Sequence, residues 1–172
     1  MNGPITISQG EPLVEAQTRI VIYTDGACLG NPGPGGWAAT IQRYVDDAEI
    51  DLLPITGGES QTTNNRMEMR AAIAALEALP ACELAPISIF SDSGLLIKGM
   101  TVWMDGWIAR GWRRADRKPV LNRDLWEQLL KLSEGREINW QWVRGHAGNP
   151  LNEEVDTMAW QAARLAAVHQ TT

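Results

Sequence analysis

Between Thr62 and Leu79 the chain passes from a polar run into a strongly periodic one. Met69, Ala72, Ile73, Ala75, Leu76 and Leu79 recur at three- and four-residue spacing, the stripe of a buried helix face. The pattern predicts a helix over 64–79 that stops at Pro80, which cannot continue it. Glu68 falls on the edge of that stripe, with Ala72, Ala75 and Leu79 following on the same side. A carboxylate aimed at its own core needs a partner, because burying a lone charge is costly.

Upstream, Arg19 to Cys28 alternates as a strand does. Ile20, Ile22 and Thr24 share one face; Val21, Tyr23 and Asp25 share the other, so Asp25 sits on a face otherwise apolar. The Gly- and Pro-rich stretch 30–36 predicts a turn, and 37–44 and 49–57 predict two further strands in an antiparallel meander. After the helix, Ile87-Ser88-Ile89-Phe90-Ser91-Asp92 predicts a buried strand ending in an acid. Strand, helix, strand is a crossover unit, which lays this fourth strand parallel to the first. Residues 93–134 predict helices broken at Gly99, at Gly106 and over 111–119, and 137–143 a fifth strand. Arg144 to Gly148 reads as a loop, and Asn149-Pro150 caps and opens a last helix. Its stripe of Val155, Ala159, Trp160, Ala162 and Ala163 shares a side with Asp156. The class is α/β, with a five-stranded mixed sheet: three antiparallel strands, then parallel crossovers.

Length and composition narrow this picture. The 172 residues make one domain, and no apolar run is long enough to span a membrane. We expect a mobile N-terminal tail over 1–18, a single domain over 19–167 and a short C-terminal tail over 168–172. Cys28 and Cys82 fit neither a metal pattern nor a disulfide framework, which points to a reducing, cytoplasmic setting. The net charge of −6 is unevenly spread. Residues 98–123 hold seven basic side chains and two acidic ones, a net +5, leaving −11 on the remainder. Trp103, Trp107 and Trp112 interleave with those cations, a mixture suited to a nucleic-acid backbone.

Four acids break the apolar pattern: Asp25 in a strand, Glu68 early in a helix, Asp92 at a strand end and Asp156 early in the last helix. An open α/β sheet can bring such positions to one crevice at the carboxyl ends of its strands. Four carboxylates there would resist ionising together unless a hard divalent cation joined them. Mg²⁺ prefers oxygen ligands and binds beside phosphates, and a pair of such ions serves phosphodiester cleavage.

Thr24-Asp25-Gly26-Ala27-Cys28-Leu29-Gly30-Asn31-Pro32-Gly33, then Thr62-Thr63-Asn64-Asn65-Arg66-Met67-Glu68, then Ser91-Asp92-Ser93, then Gly145-His146-Ala147-Gly148 through Asp156 together resemble ribonuclease H of the type 1 class. The resemblance runs in order from about residue 19 to 165. It implies the ribonuclease H-like fold, with helices on both faces of the sheet. It also implies an endoribonuclease that uses two Mg²⁺ ions per site, or Mn²⁺, to hydrolyse the RNA strand of RNA–DNA hybrids, leaving 3′-hydroxyl and 5′-phosphate ends. By the same resemblance Asp25, Glu68, Asp92 and Asp156 are the metal ligands, and His146 assists the attacking water or product departure. Asn31, Asn64 and Asn65 would meet the substrate's 2′-hydroxyls and backbone, Thr63 a phosphate of the DNA strand, and Trp103 the DNA-strand groove. The basic segment, with Arg113, Arg114 and Arg117, corresponds to a substrate-binding protrusion. A monomer with no membrane partner is expected.

The sequence departs from the family pattern at Gly94-Leu95, Ile108-Ala109, Asn149 and Leu151. Two other functions fit parts of the pattern: a different nuclease on the same fold, and a non-catalytic nucleic-acid-binding module. The stretch Thr62 to Glu68 and the basic segment weigh against the first, and the presence of all four acids against the second.

Overall fold

The computed structural model describes residues 15–168, so the expected tails lie outside the described residues as far as 14 and from 169 onward. Within that range Gln17 already donates its N–H to Asp46 at 2.9 Å, and Thr18 opens the first strand. Three long strands, β1 (Thr18–Cys28), β2 (Gly33–Val45) and β3 (Ala48–Thr62), form an antiparallel meander. After helix α1 (Asn64–Glu77), β4 (Ile87–Ser91) pairs parallel to β1, and β5 (Ile138–Trp142) parallel to β4. The five-stranded mixed sheet has the order β3-β2-β1-β4-β5. Helices α2 (Gly94–Lys98), α3 (Met104–Ala109) and α4 (Arg123–Ser133) lie between β4 and β5, and α5 (Pro150–Val168) follows β5.

Alternation along β1 sends its two faces to two cores. Ile20 and Ile22 pack with Met69, Ile73 and Leu76 of α1 and with Leu125, Trp126 and Leu129 of α4. Tyr23 and Ala27 pack with Val155, Ala159 and Ala163 of α5. Helices therefore cover both faces. Each large apolar side chain sealed in these layers contributes roughly 1.5–3 kcal/mol. The end of α1 is held from a distance: Arg136 donates to the carbonyls of Leu76 at 2.8 Å and Pro80 at 3.2 Å. No helix among the described residues is long and apolar enough to cross a membrane.

Two local expectations are corrected. The stretch 30–36 reads as a turn in sequence, yet β2 begins at Gly33, because Gly35 and Gly36 pair with Cys28 and Ala27 of β1. Helical structure also does not break at Gly99 or Gly106. It runs on from α2 through a π-helical turn (Gly99–Trp103) into α3. At Gly99 a Cβ would lie 2.1 Å from the Trp126 ring, so the missing side chain is the space that Trp126 fills. The chain leaves helix only after Ala109 and rejoins it at Arg123, and a short antiparallel bridge between Arg113 and Pro119 closes the intervening loop.

Candidate active site

The register of the two central strands builds the site. β1 and β4 run parallel with Thr24 beside Ser91, so the residues that follow, Asp25 and Asp92, emerge side by side at one edge. Glu68 arrives from α1. That helix starts at Thr63, whose Oγ1 accepts from the Arg66 N–H at 3.3 Å, and Asn31 Oδ1 accepts from the Asn64 N–H at 3.2 Å. Gly26 lets the helix come this close, for a Cβ there would lie 2.3 Å from the Glu68 nitrogen.

The result is a knot of carboxylates. Asp25, Glu68 and Asp92 each offer an oxygen, and the three oxygens lie within 4.8 Å of one another. Asp25 is 4% exposed and Glu68 is 5% exposed. Burial, then the charge of Asp92, pushes Asp25 up to about 7, against the pull of the Gly26 N–H, which donates to its Oδ1 at 2.8 Å. Burial, then the charges of Asp25 and Asp92, holds Glu68 well above the usual carboxylate range. Its Oε2 is buried with no hydrogen-bond partner. Asp92, half-buried, is raised first by its desolvation. An acceptor buried without a donor is costly, as are like charges at this distance. A hard cation answers both at once, and an all-oxygen donor set of this kind suits Mg²⁺.

Asp156, in α5, lies outside this tight trio but acts on it. Its charge and a side-chain hydrogen bond raise Asp25, and its charge raises Asp92. His146 is exposed on the loop before α5 at φ 52°, within electrostatic reach of Asp92.

Around the trio, Asn64 works against the rise of Glu68, and Asn65 faces a cavity of about 360 Å³ that Trp103, Trp107, Arg110, Arg114 and Asn122 also line. Of the four tryptophans in that region, Trp107 and Trp126 are core, Trp112 is half-buried, and Trp103 remains 38% exposed on the cavity wall. The three arginines differ. Arg113 donates to the Arg117 carbonyl at 3.0 Å and so braces its own loop, whereas Arg114 pairs with Asp116 at 3.1 Å beside the cavity and Arg117 is exposed.

Sequence reasoning missed three participants. Asn152 is buried on α5 and works to lower Asp92. The Trp142 indole donates to the Asp92 carbonyl at 3.0 Å. Arg66 forks onto Asp124 at 3.0 and 2.8 Å, joining α1 to α4. The signal available for Asn152 was an amide at i−4 from Asp156, on the inward side of the last helix.

A mixed sheet of this order, with acids gathered where β1 and β4 end, is the frame of the ribonuclease H-like nucleases. The family model for RNase H matches residues 17–164. A ribonuclease H of Polaromonas naphthalenivorans is 49% identical over 157 residues, which cover 90% of this chain and 93% of the relative. One of Maricaulis maris is 52% identical over 142 residues, covering 83% and 91%. Among solved structures, LC9-RNase H1, a type 1 RNase H with the type 2 active-site motif, superposes with a TM-score of 0.77 at 32% identity, covering 87% of this chain and 74% of that one. LC11-RNase H1, solved in complex with an RNA/DNA hybrid, shares the fold with a TM-score of 0.64 at 23% identity, covering 86% and 99%. The chain belongs to the ribonuclease H family, in its type 1 class.

Proposed function

We propose that this protein is a Mg²⁺-dependent endoribonuclease that hydrolyses the RNA strand of RNA–DNA hybrids, leaving 3′-hydroxyl and 5′-phosphate ends. The observation that carries the reading is the convergence of three carboxylate oxygens within 4.8 Å, one of them on a residue whose Oε2 has no partner. Asp25, Glu68 and Asp92 would hold the cation, with Asp156 as the fourth carboxylate. When bound, a pair of Mg²⁺ ions, or Mn²⁺, supplies the activation of water and the neutralisation of the leaving oxygen.

The chain's own groups do the rest. The RNA strand is selected by its 2′-hydroxyls. Asn31, Asn64 and Asn65 stand at the mouth of α1 to meet them; Asn31 spends its Oδ1 on the Asn64 N–H and keeps its amide donors. Thr63 accepts the helix cap through its oxygen, which leaves the hydroxyl proton to donate to a phosphate of the DNA strand. Trp103 offers an aromatic wall to that strand, and LC11-RNase H1 holds a hybrid on the same fold. His146 carries a proton for the water or the departing product. End-labelled hybrid, single-stranded RNA, duplex RNA and duplex DNA, each with Mg²⁺ or with chelator, test the reading: cleavage is expected on the RNA strand of the hybrid, with Mg²⁺. Binding without cleavage would leave a nucleic-acid-binding module instead.

His146→Ala is expected to slow turnover without abolishing it, since the histidine sits on an exposed loop outside the carboxylate trio. Single-turnover rates over a pH series check this, and complete loss in a folded variant would show the histidine to be indispensable.

The basic segment is proposed to set affinity. Its +5 sits on a body of −11, so it must supply most of the attraction for a polyanion. Arg114→Ala with Arg117→Ala, which spares the bracing Arg113, should raise the Michaelis constant and flatten its salt dependence. Removing one cation from its phosphate lowers the slope of log affinity against log salt by about 0.7–0.9. Two unrelated hybrids should lose affinity alike, because phosphate contacts do not read bases. A collapse of the saturating rate with an unchanged salt slope would count against a binding handle.

A further inference from the structure

We propose that Trp142 is a positioning residue for the metal site, holding the main chain of Asp92 where the trio needs it. The inference rests on the metal-site reading above. β4 ends at Ser91, so Asp92 lies one residue past the last rung of its ladder with β5. The Val143 N–H donates to the Ser91 carbonyl at 3.0 Å. The next carbonyl, that of Asp92, is served by a side chain instead: the Trp142 indole donates to it at 3.0 Å. An indole N–H only donates, and its ring is rigid, so the bond sets a direction as well as a distance. Packing does not account for the residue. Trp142 is 57% exposed, whereas Trp126 is buried in the core and Trp140 packs against it. A tryptophan this open gains little from burial. What it brings to this position is a donor that reaches across to the neighbouring strand.

The chain on either side of Asp92 is fixed as well. Ser91 Oγ accepts the Ser93 N–H at 3.1 Å, and Ser93 Oγ accepts the Leu96 N–H at 3.2 Å, which ties this turn to the start of α2. Three residues past Trp142, a Cβ at Gly145 would lie 2.5 Å from Asp92 Oδ2, so the segment 142–145 passes close against the carboxylate itself. The serines hold the neighbours of Asp92, and the Trp142 bond holds the peptide plane between Asp92 and Ser93. A turn of that plane would shift the Asp92 backbone and carry its carboxylate away from the oxygens of Asp25 and Glu68, which now lie within 4.8 Å. Groups that orient metal ligands from behind are worth about 10–100-fold in metal affinity or activity. A bond to the ligand's main chain, rather than to its carboxylate, belongs at the low end of that range.

Two variants separate the donor from the ring. Trp142→Phe keeps an aromatic ring and loses the N–H. Trp142→His loses the benzo ring and keeps a donor, since imidazole Nε2 stands at the same place in a five-membered ring as the indole nitrogen. Mg²⁺ titration calorimetry and the metal-free thermal midpoint are measured for both and for the wild type, with steady-state cleavage of hybrid over a Mg²⁺ series beside them. Trp142→Phe is expected to bind Mg²⁺ about tenfold more weakly at a nearly unchanged midpoint. Excess Mg²⁺ should restore most of its rate, and its Michaelis constant for hybrid should stay put. Trp142→His should bind Mg²⁺ nearly as the wild type does. Wild-type Mg²⁺ affinity in Trp142→Phe would overturn the proposal: with a lowered midpoint the bond is purely structural, and with a raised Michaelis constant the ring is a surface for substrate. Equal weakening in both variants would overturn it too, by assigning the effect to the ring. A wild type that binds no Mg²⁺ would bring down the metal-site reading itself, and this inference with it.

Discussion

Asp25→Asn is expected to keep the fold and lose Mg²⁺-dependent cleavage by at least ~10²–10³-fold, the range lost with one preorganised group that stabilises developing charge. The swap is nearly isosteric. Asn Oδ1 can still accept the Gly26 N–H that Asp25 now takes at 2.8 Å, and its NH₂ side can donate to Asp156. What disappears is a negative charge in a site closed to water, where Asp25 is 4% exposed. If Asp25 ligates the cation, Mg²⁺ binding should weaken with the rate. Near-normal cleavage by the purified variant, under Mg²⁺, would sink its assignment as a ligand.

Without metal, the protein should be more stable at acid pH than at neutral, and Glu68→Gln should remove much of that dependence. Asp25 stands near its ordinary 3.8 in the unfolded chain and at about 7 in the folded one. Between those values the folded state binds the extra proton, so stability falls as pH rises through the window. Glu68 is shifted the same way, by burial first and then by Asp25 and Asp92. Two acids run the other way: the Arg43 guanidinium lowers Glu83 and the Arg66 guanidinium lowers Asp124. Their contributions are lost only as pH falls below the ordinary carboxylate range, so they do not cancel the trend above about 5. Each kcal/mol relieved moves the midpoint of a domain this size by about 2–4 °C. Glu68→Gln should therefore melt several degrees higher than wild type at neutral pH in chelator. Mg²⁺ should raise the wild-type midpoint and leave that of Glu68→Gln nearly still, by linkage to a site the variant no longer completes. Scanning calorimetry across pH, with chelator or Mg²⁺, measures all of it; a wild-type midpoint indifferent to both would mean the carboxylates do not repel as described.

The sheet and three of the acids are legible in the sequence for one reason. Alternation in β1 and the stripe of α1 are periodic, and Asp25 and Glu68 stand out as charges on apolar faces. Asp92 is marked by its place at the end of a buried strand. What stays hidden has no period. Nothing in a string of residues says that Gly99 is the socket for a ring 27 positions later, so the glycine reads as a break. The Gly-rich stretch after Asn31 reads as a turn, although pairing with β1 makes its second half a strand. Asn152 looks like a polar residue on a helix, and the packing of α5 on β1 and β2 turns it inward. The grouping of Asp156 is also tighter in sequence logic than in space, where it stands beside the trio rather than within it.

The fork of Arg66 onto Asp124 joins the helix carrying Glu68 to the helix at the foot of the basic segment. Hydrogen bonds in that fork are paired and directional, so the two helices resist sliding as well as parting. The proposed grip on phosphates and the proposed point of scission then sit at opposite ends of one strut. Such a strut would act as a ruler: on the proposed function, the bond that is cut would lie a fixed number of nucleotides from the phosphates that are held. A hybrid too short to reach both ends would be cut without being measured.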